Sequence, residues 1–517
     1  NPLPGHLLNV LLFALSGVVL YLLLLRLMPK NNEWVPLIAS CLFIVHPVHT
    51  EVVDNIKSLD EILSTLFLLL TLFTLFSANN KKALYSYICF ALALLSKESA
   101  LTGIAIIPLA LYFFSEKKIK SILIKTLPYL GILIIYLLVR EHYSGGFGKG
   151  FEASNPMDSP YILLSIPDKF ATITYVCGRY LMLLFWPHPL SWDYSYHQIP
   201  DMSWGDIGPL VSLLIYAGLL VIALKSFRSK SAFGFGILFY LASFSIVSNV
   251  LINIGTTMGE RFIYMPSVGF CISIAALLSH LLKYPTRGEI KYAVKYLFPL
   301  AVLAVPASLK TINRNRAWKD NFTLYETHVM TVPNSARSRL FYGIELLGKH
   351  RETKDKRYID MAIHQMDTAT VINPTFYHAF YNLGLAYQEK EDHENAIRNF
   401  REVLKLAPLH INTHYMLGVS LAKGKGQLDE GIAYMEKGVA MGYKDESGYS
   451  NLGIAYGMKG DFGKAIDIFK KGLSQHPNNA KLYLNLAVTY QNMGRPEEAK
   501  TNFSKAFELD PGLKGGQ

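Results

Sequence analysis

Apolar runs long enough to cross a hydrocarbon core, which takes about 20 residues per helix, recur at 7–28, 34–53, 60–78, 83–95, 99–114, 119–139, 207–227, 232–253, 262–283 and 292–309. They predict about ten transmembrane helices. The runs 83–95 and 99–114 are short and are interrupted by Ser96, Lys97 and Glu98, which predicts two tilted helices meeting at an outer turn. One further run, 169–186, would invert every later loop if it crossed. It is therefore expected as an interfacial or re-entrant helix, with Tyr175, Arg179, Tyr180 and Trp186 in the headgroup layer.

Beyond residue 310 the pattern becomes that of short amphipathic helices with an internal repeat. Leu383-Gly384, Leu417-Gly418, Leu452-Gly453 and Leu486-Ala487 are spaced by 34, 35 and 34 residues, and Pro408, Pro477 and Pro511 close three of the four units. Within a unit, Ala386-Tyr387 with Ala396 and Phe400, or Ala455-Tyr456 with Gly460, Ala465 and Phe469, mark a helix, a short turn and a second helix. This is the tetratricopeptide pattern, in which each hairpin buries its apolar stripe only against the next. The fold class expected is all-α: a polytopic membrane bundle over 1–309, a connector over 310–333, and a repeat superhelix over 334–511 with a short tail, 512–517. The repeats divide as a divergent first unit, 334–374, then 375–408, 409–443, 444–477 and 478–511.

Charge follows the same division. Residues 1–309 hold 22 Lys+Arg and 16 Asp+Glu, while the 208 that follow hold 28 and 23. The net charge of +11 is spread over both parts without a long basic run, which excludes a nucleic-acid-binding reading. Basic residues instead report topology. Arg26 and Lys30; Lys81 and Lys82; Lys117, Lys118 and Lys120; Lys225, Arg228 and Lys230; and Lys283, Arg287 and Lys291 alternate along the chain as cytoplasmic loops should. The segments between them, and the repeats after an even number of crossings, are then expected on the other side. Cys41, Cys89, Cys177 and Cys271 all lie in apolar stretches, so no disulfide framework or zinc spacing is present. The chain starts at Asn1, with no basic stretch before its first apolar run, and reads as beginning partway through a longer protein.

Charged groups beside a bilayer are costly and mark function by default. His46-Pro47-Val48-His49-Thr50-Glu51, followed by Asp54, Lys57, Asp60 and Glu61, puts two imidazoles and several carboxylates at one membrane exit. If this stretch is helical, Glu51 and Asp54 share a face, as do Lys57 and Glu61. A metal site there would lack the usual i, i+4 histidine spacing. Lys97-Glu98 reads either as a self-neutralising pair or as a functional one, and Arg140, Arg179 and Arg261 lie at outer positions. Guanidinium and ammonium groups so placed suit a departing phosphate.

Several motifs, in order along the chain, resemble the transmembrane and tetratricopeptide-repeat O-mannosyltransferases and their bacterial relatives, within the glycosyltransferase C superfamily. They are Gly5-His6-Leu7-Leu8-Asn9, His46 to Glu51, Leu95-Ser96-Lys97-Glu98, Leu190-Ser191-Trp192-Asp193-Tyr194-Ser195, Glu260-Arg261-Phe262-Ile263-Tyr264-Met265-Pro266-Ser267-Val268-Gly269-Phe270, and Arg314-Asn315 with Trp318. The resemblance implies transfer of a sugar, mannose in that family, from a polyprenyl or dolichyl phosphate to Ser/Thr of an exported protein, with the repeats receiving the acceptor. It also implies an acidic residue in a first outer loop, which would precede Asn1, so that a chain of this extent is expected to be inactive by itself. Leu59 departs from the basic residue of the bacterial relatives.

On this reading the catalytic candidates are Glu51, His46 and His49. The donor-phosphate candidates are Lys97, Arg140 and Arg261, with Glu98, Asp193, Glu260 and Tyr264 as secondary contacts. Asn382, Asn451 and Asn485 are the acceptor contacts expected in the repeats. No resident cofactor is expected beyond the lipid-phosphate-linked sugar substrate; a divalent metal has no sequence support, and no nucleic-acid partner is expected. The expected location is a bacterial inner membrane with periplasmic repeats, or else an endoplasmic reticulum membrane with lumenal repeats. The competing class, a non-enzymatic membrane-anchored scaffold, accounts for the repeats but leaves the polar cluster and so many spans without a purpose.

Overall fold

A computed structural model describes residues 3–28, 34–77, 82–144, 156–157, 160–282, 293–424, 426–443 and 445–516. Every regular element among them is helical. The chain divides into two compact units, Asn1–Ser338 and Arg339–Gln517.

Among the described residues of the first unit, five of the about ten expected spans are helices long and apolar enough to cross a bilayer: Leu3–Leu27, Ile56–Leu75, Ile119–Tyr143, Ile207–Ser229 and Glu260–Leu281. A sixth span is broken, with Trp34–Val45 and Pro47–Asp54 meeting at 50°. The cause is local: Pro47 supplies no N–H to the helix ladder, and the His46 side chain instead accepts from Val48 N. Three apolar helices are shorter, Leu84–Ser96, Glu98–Phe114 and Ala232–Phe244. The run 232–253 does not stay helical throughout. Ser245 and Ser248 turn their hydroxyls back on Ala242 O and Ser245 O, and Asn249 (φ 61°) bonds Ile254 N and Thr256 O, so the backbone finds side-chain partners in place of a helix. The run 169–186 forms the helix Ile166–Phe185, capped by Ser165. The loops carrying Lys30, Lys81, Lys283, Arg287 and Lys291 lie outside the described residues.

One core joins Leu20, Leu24, Ile38, Phe43, Ile62, Phe90, Ile107, Val268 and Cys271. Around it, Leu11, Leu123, Leu127, Leu214 and Val221 face outward. Exposing such surface to water costs about 25 cal/mol per Å², and lipid removes that cost without disturbing helices whose backbone bonds are internal. Ala232–Phe244 and Tyr264–Leu281 cross at two glycines. A Cβ on Gly236 would lie 2.5 Å from Gly269 O, and one on Gly269 2.5 Å from Gly236 O. This contact seats the helix that follows Glu260 and Arg261.

In the second unit the helices pair as Tyr377–Glu389 with His393–Leu406, Ile411–Gly424 with Leu428–Ala440, Glu446–Met458 with Phe462–Gln475, and Ala480–Asn492 with Pro496–Leu509. Asp392, Asp461 and Asn479 cap their helices by accepting from the N–H three residues on. Tyr415, Leu452, Ala455, Phe469, Leu482 and Leu486 form a core continuous from one hairpin to the next. A repeat array built this way has no single centre.

The Gly236–Gly269 contact carries a prediction. Gly269→Ala should destabilise the membrane unit by about 1–3 kcal/mol through overpacking, whereas Gly218→Ala, which meets nothing within 4 Å, should be neutral or slightly stabilising. Thermal unfolding in mild detergent compares the two. Equal effects would remove the close crossing from the account.

Candidate functional site

The polar residues gather where helices break. The broken span ends in the 3-10 turn Pro47–His49 and the short helix Thr50–Asp54, and a second 3-10 turn, Ile56–Ser58, starts the next span. Asn9, fully buried within the first span, donates to Val53 O and Asn55 O, both at 3.2 Å. It thereby satisfies carbonyls that the broken helix leaves over. Glu260–Ile263, another 3-10 turn, packs against both Pro47–His49 and Thr50–Asp54.

This packing brings Glu51 to Arg261, 210 residues away. Arg261 Nη1 donates to Glu51 Oε1 at 2.6 Å and its backbone N–H donates to Oε2 at 2.9 Å. The carboxylate is 1% exposed and the guanidinium side chain 31%. A second assembly repeats the design: Lys97 Nζ lies 2.8 Å from Asp60 Oδ2 and 2.9 Å from Glu61 Oε1, with side-chain exposures of 19% for Lys97 and 2% for Glu61. The two assemblies are within electrostatic reach, since Glu61 feels Arg261 as well as Lys97. Lys97 and Glu98 are therefore not a self-neutralising pair, because Glu98 binds Arg140 instead. Nor does Glu61 pair with Lys57, which is exposed. Each buried carboxylate holds a partly exposed cation, and a carboxylate so placed is stable only while the cation stays.

The remaining candidates separate by what they touch. His46 Nε2 donates to Leu184 O at 2.9 Å and its Nδ1 accepts from Val48, so both ring nitrogens serve the backbone. His49 Nε2 donates to Ser267 Oγ at 2.9 Å, because that hydroxyl's own hydrogen goes to Tyr264 O at 2.6 Å. The Tyr264 ring meets His49 edge-on at 5.0 Å. Glu260, 0% exposed, accepts through Oε1 from Ser191 N and lies 2.9 Å from Tyr194 OH.

Asp193 turns elsewhere. It binds Ser195, Ser335 and Arg337, and Arg337 also donates to Met157 O at 3.0 Å. Burial pushes the Asp193 carboxyl above the usual carboxylate range, and Arg337 and the two serines pull it back. It fastens the 191–195 loop to the end of the first unit and is not part of the Glu51–Arg261 assembly.

In the repeats, Asn382, Asn451 and Asn485 are half-buried on the first helices of their pairs. Asn382 Nδ2 donates to His378 O at 2.8 Å and Asn485 Nδ2 to Ser450 Oγ at 2.6 Å. Met416 takes the corresponding place in the second pair, interrupting the series.

The sequence offers Asp60 and Glu61 only as part of the polar run after Glu51, and Arg314 only within a motif, with no role assigned. The first two open an apolar helix, and Arg314 sits in a recognised motif, but only tertiary packing supplies their partners. Among the described residues no three of His, Cys, Asp and Glu gather as a metal-ligand set. The carboxylates of the cluster are already matched by Lys97, Arg261 and Arg140.

A bundle of apolar helices with an ion-paired cluster at its helix breaks, followed by stacked helical hairpins, defines a polytopic membrane protein with a tetratricopeptide array. Comparison with known proteins narrows the class. Residues 3–143 match the family described as dolichyl-phosphate-mannose-protein mannosyltransferase, and 377–408 and 458–512 match tetratricopeptide repeats. The chain is similar in sequence to proteins named protein O-mannosyl-transferases. It is 25% identical to human Protein O-mannosyl-transferase TMTC3 over 99% of this chain and 59% of that one. To Caenorhabditis elegans Protein O-mannosyl-transferase F38B6.6 it is 28% identical over 68% of this chain and 49% of the relative. The chain thus spans about half the length of these relatives. Among solved structures, that of MamA aligns at 23% identity with a TM-score of 0.29, covering 32% of this chain and 95% of MamA.

The Glu51–Arg261 pair predicts strong non-additivity. Glu51→Gln should cost about 3 kcal/mol, as expected when a buried pair loses one partner, and adding Arg261→Gln should cost little more. Denaturation of both single variants and the double variant in detergent measures the coupling. Additive losses would mean that the two side chains do not depend on each other.

Proposed function

We propose that this protein is part of a membrane glycosyltransferase that moves a sugar, mannose by its relatives, from a polyprenyl or dolichyl phosphate to Ser/Thr hydroxyls of exported proteins. The observation that carries the reading is the pairing of partly exposed Arg261 and Lys97 with buried Glu51 and Glu61 at the helix breaks. Cations fixed beforehand at a membrane boundary need little reorganisation when phosphate charge develops on the leaving lipid. In the reaction the acceptor hydroxyl attacks the anomeric carbon, a carboxylate takes its proton, and the lipid phosphate departs against Arg261 and Lys97, with Arg140 beside them.

Glu51 has both oxygens committed to Arg261, so its role is to aim that cation. His46 and His49 brace the backbone turn that carries Glu51, and Tyr264 packs behind them. The repeats bind the acceptor polypeptide, with Asn382, Asn451 and Asn485 as contacts. Membrane unit and repeats work on the noncytosolic side: the periplasm of a bacterium, or alternatively the lumen of the endoplasmic reticulum.

The full-length protein, incubated with polyprenyl-phosphate-linked mannose and Ser/Thr-containing peptides of exported proteins, should place mannose on hydroxyl side chains. Arg261→Ala and Lys97→Ala should each lower the rate about 100-fold, the usual effect of removing one preorganised charge donor. No transfer by the full-length protein, or unchanged rates in both variants, would overturn the reading.

A further inference from the structure

Away from the ion-paired cluster, the first unit contains a cavity of about 580 Å³, within the range of small-molecule sites. It lies between the turn that follows Ile166–Phe185 and the helix Asn321–Thr331, and is lined by His188, Pro189, Glu326, Thr327, Met330 and Thr331. The four helical residues fall at i, i+1, i+4 and i+5, on one face of the helix. Lys310 reaches the edge of the cavity, its Nζ 3.3 Å from His188 Nδ1. An ammonium can only donate, so Nδ1 accepts and the ring's hydrogen sits on Nε2. His188 and Glu326 are exposed, and Met330 is 83% exposed, so a ligand can enter from outside.

The walls fix the level of the cavity in the membrane. Phe185 and Trp186, just before His188, are exposed, and on Ala293–Asn315 the exposed Val302, Val305 and Leu309 lead up to Lys310. Exposed apolar surface that ends in tryptophan and lysine marks the headgroup layer. Both walls are also fastened to the broken second span. Thr311 Oγ1 donates to Val45 O at 3.2 Å, and His46 Nε2 donates to Leu184 O at 2.9 Å.

A ligand here has to answer charges of both signs. Lys310 and His188 Nε2–H suit an anion, whereas Glu326 suits a cation. Thr327 and Thr331 send their own hydroxyl hydrogens to Thr323 O and Thr327 O, each at 2.7 Å, so toward a ligand their oxygens act as acceptors. A lone phosphate would be repelled by Glu326, and a lone amine by Lys310. A zwitterion satisfies both, and at headgroup depth the zwitterions are phospholipids. A choline headgroup offers no N–H to a carboxylate and hydroxyl oxygens, while a primary ammonium offers three. We infer that this cavity binds an ethanolamine phospholipid, its phosphate against Lys310 and His188 and its ammonium against Glu326, Thr327 and Thr331. The site shares no residue with the cations assigned to the sugar donor and stands independently of the transferase reading. A lipid held there bridges two elements that brace the helix break at Pro47.

The test titrates the full-length protein in mild detergent with phosphatidylethanolamine, phosphatidylcholine or phosphatidylglycerol of matched acyl chains, and reads bound lipid by native mass spectrometry. Phosphatidylethanolamine should bind about tenfold or more tighter than phosphatidylcholine, the scale of one charge-assisted hydrogen bond. Glu326→Gln should remove that preference while phosphatidylcholine binding stays within about twofold of wild type, a sign that the variant is folded. Lys310→Gln should weaken both zwitterionic lipids together. Equal binding of the two zwitterionic lipids by wild type, or a preference that survives Glu326→Gln, overturns the site. Tightest binding of phosphatidylglycerol would reduce it to a basic patch, and displacement of bound lipid by Ser/Thr peptides would give the cavity to a polypeptide; either result also overturns it.

Discussion

Everything at the candidate site depends on carboxylates placed where water cannot solvate them. An isolated ionised Glu51 or Glu61 would be too costly to bury, so each is tied to a cation from a distant part of the chain, Arg261 or Lys97. The tie works in both directions. The cation makes the carboxylate tolerable, and the carboxylate fixes a cation that remains partly open to solvent. Because Glu51 also accepts the backbone N–H of Arg261, the Glu260–Ile263 turn is held against the broken second span through a single side chain. The helix break at Pro47 is the price of that placement, since a continuous span would not turn Glu51 toward Glu260–Ile263.

Irregular backbone beside a bilayer is tolerated only where protein groups satisfy it, and the buried polar residues here do that work. Asn9 caps carbonyls near the end of Thr50–Asp54, His46 takes Leu184 O, Tyr180 OH accepts from Gly259 N, and Asn249 closes its own loop. Several residues that look catalytic by type are thus supports by geometry. The cations that stay partly exposed while paired are Lys97, Arg140 and Arg261.

The repeat array was legible because its signal is local: a 34-residue period, closing prolines, and Ala and Phe at fixed offsets. The apolar runs form helices, but of the ten expected spans five, or six with the broken pair, are long and apolar enough to cross among the described residues, while 83–95, 99–114 and 232–253 give shorter helices; the last stops early where Ser245, Ser248 and Asn249 offer the backbone alternative partners. The polar cluster was legible as a list of residues but not as pairs. Nothing in the sequence tells Glu51 that its partner is Arg261 and not Lys57, or Lys97 that it binds Asp60 and Glu61 in preference to its neighbour Glu98. Pairing of that kind is decided by which helix breaks pack together.

The proposed transfer requires Arg261, Lys97 and the repeats to face the same side of the membrane, and topology tests that requirement most directly. In a background lacking Cys41, Cys89, Cys177 and Cys271, single cysteines at Ser203, Asn478 and Lys118, all exposed positions, would be probed in intact cells or sealed vesicles with a membrane-impermeant maleimide. The prediction is that Ser203→Cys and Asn478→Cys label from the noncytosolic side and Lys118→Cys only after permeabilisation. Labelling of Asn478→Cys with Lys118→Cys, on the side opposite Ser203→Cys, would put acceptor and donor in different compartments and contradict the account.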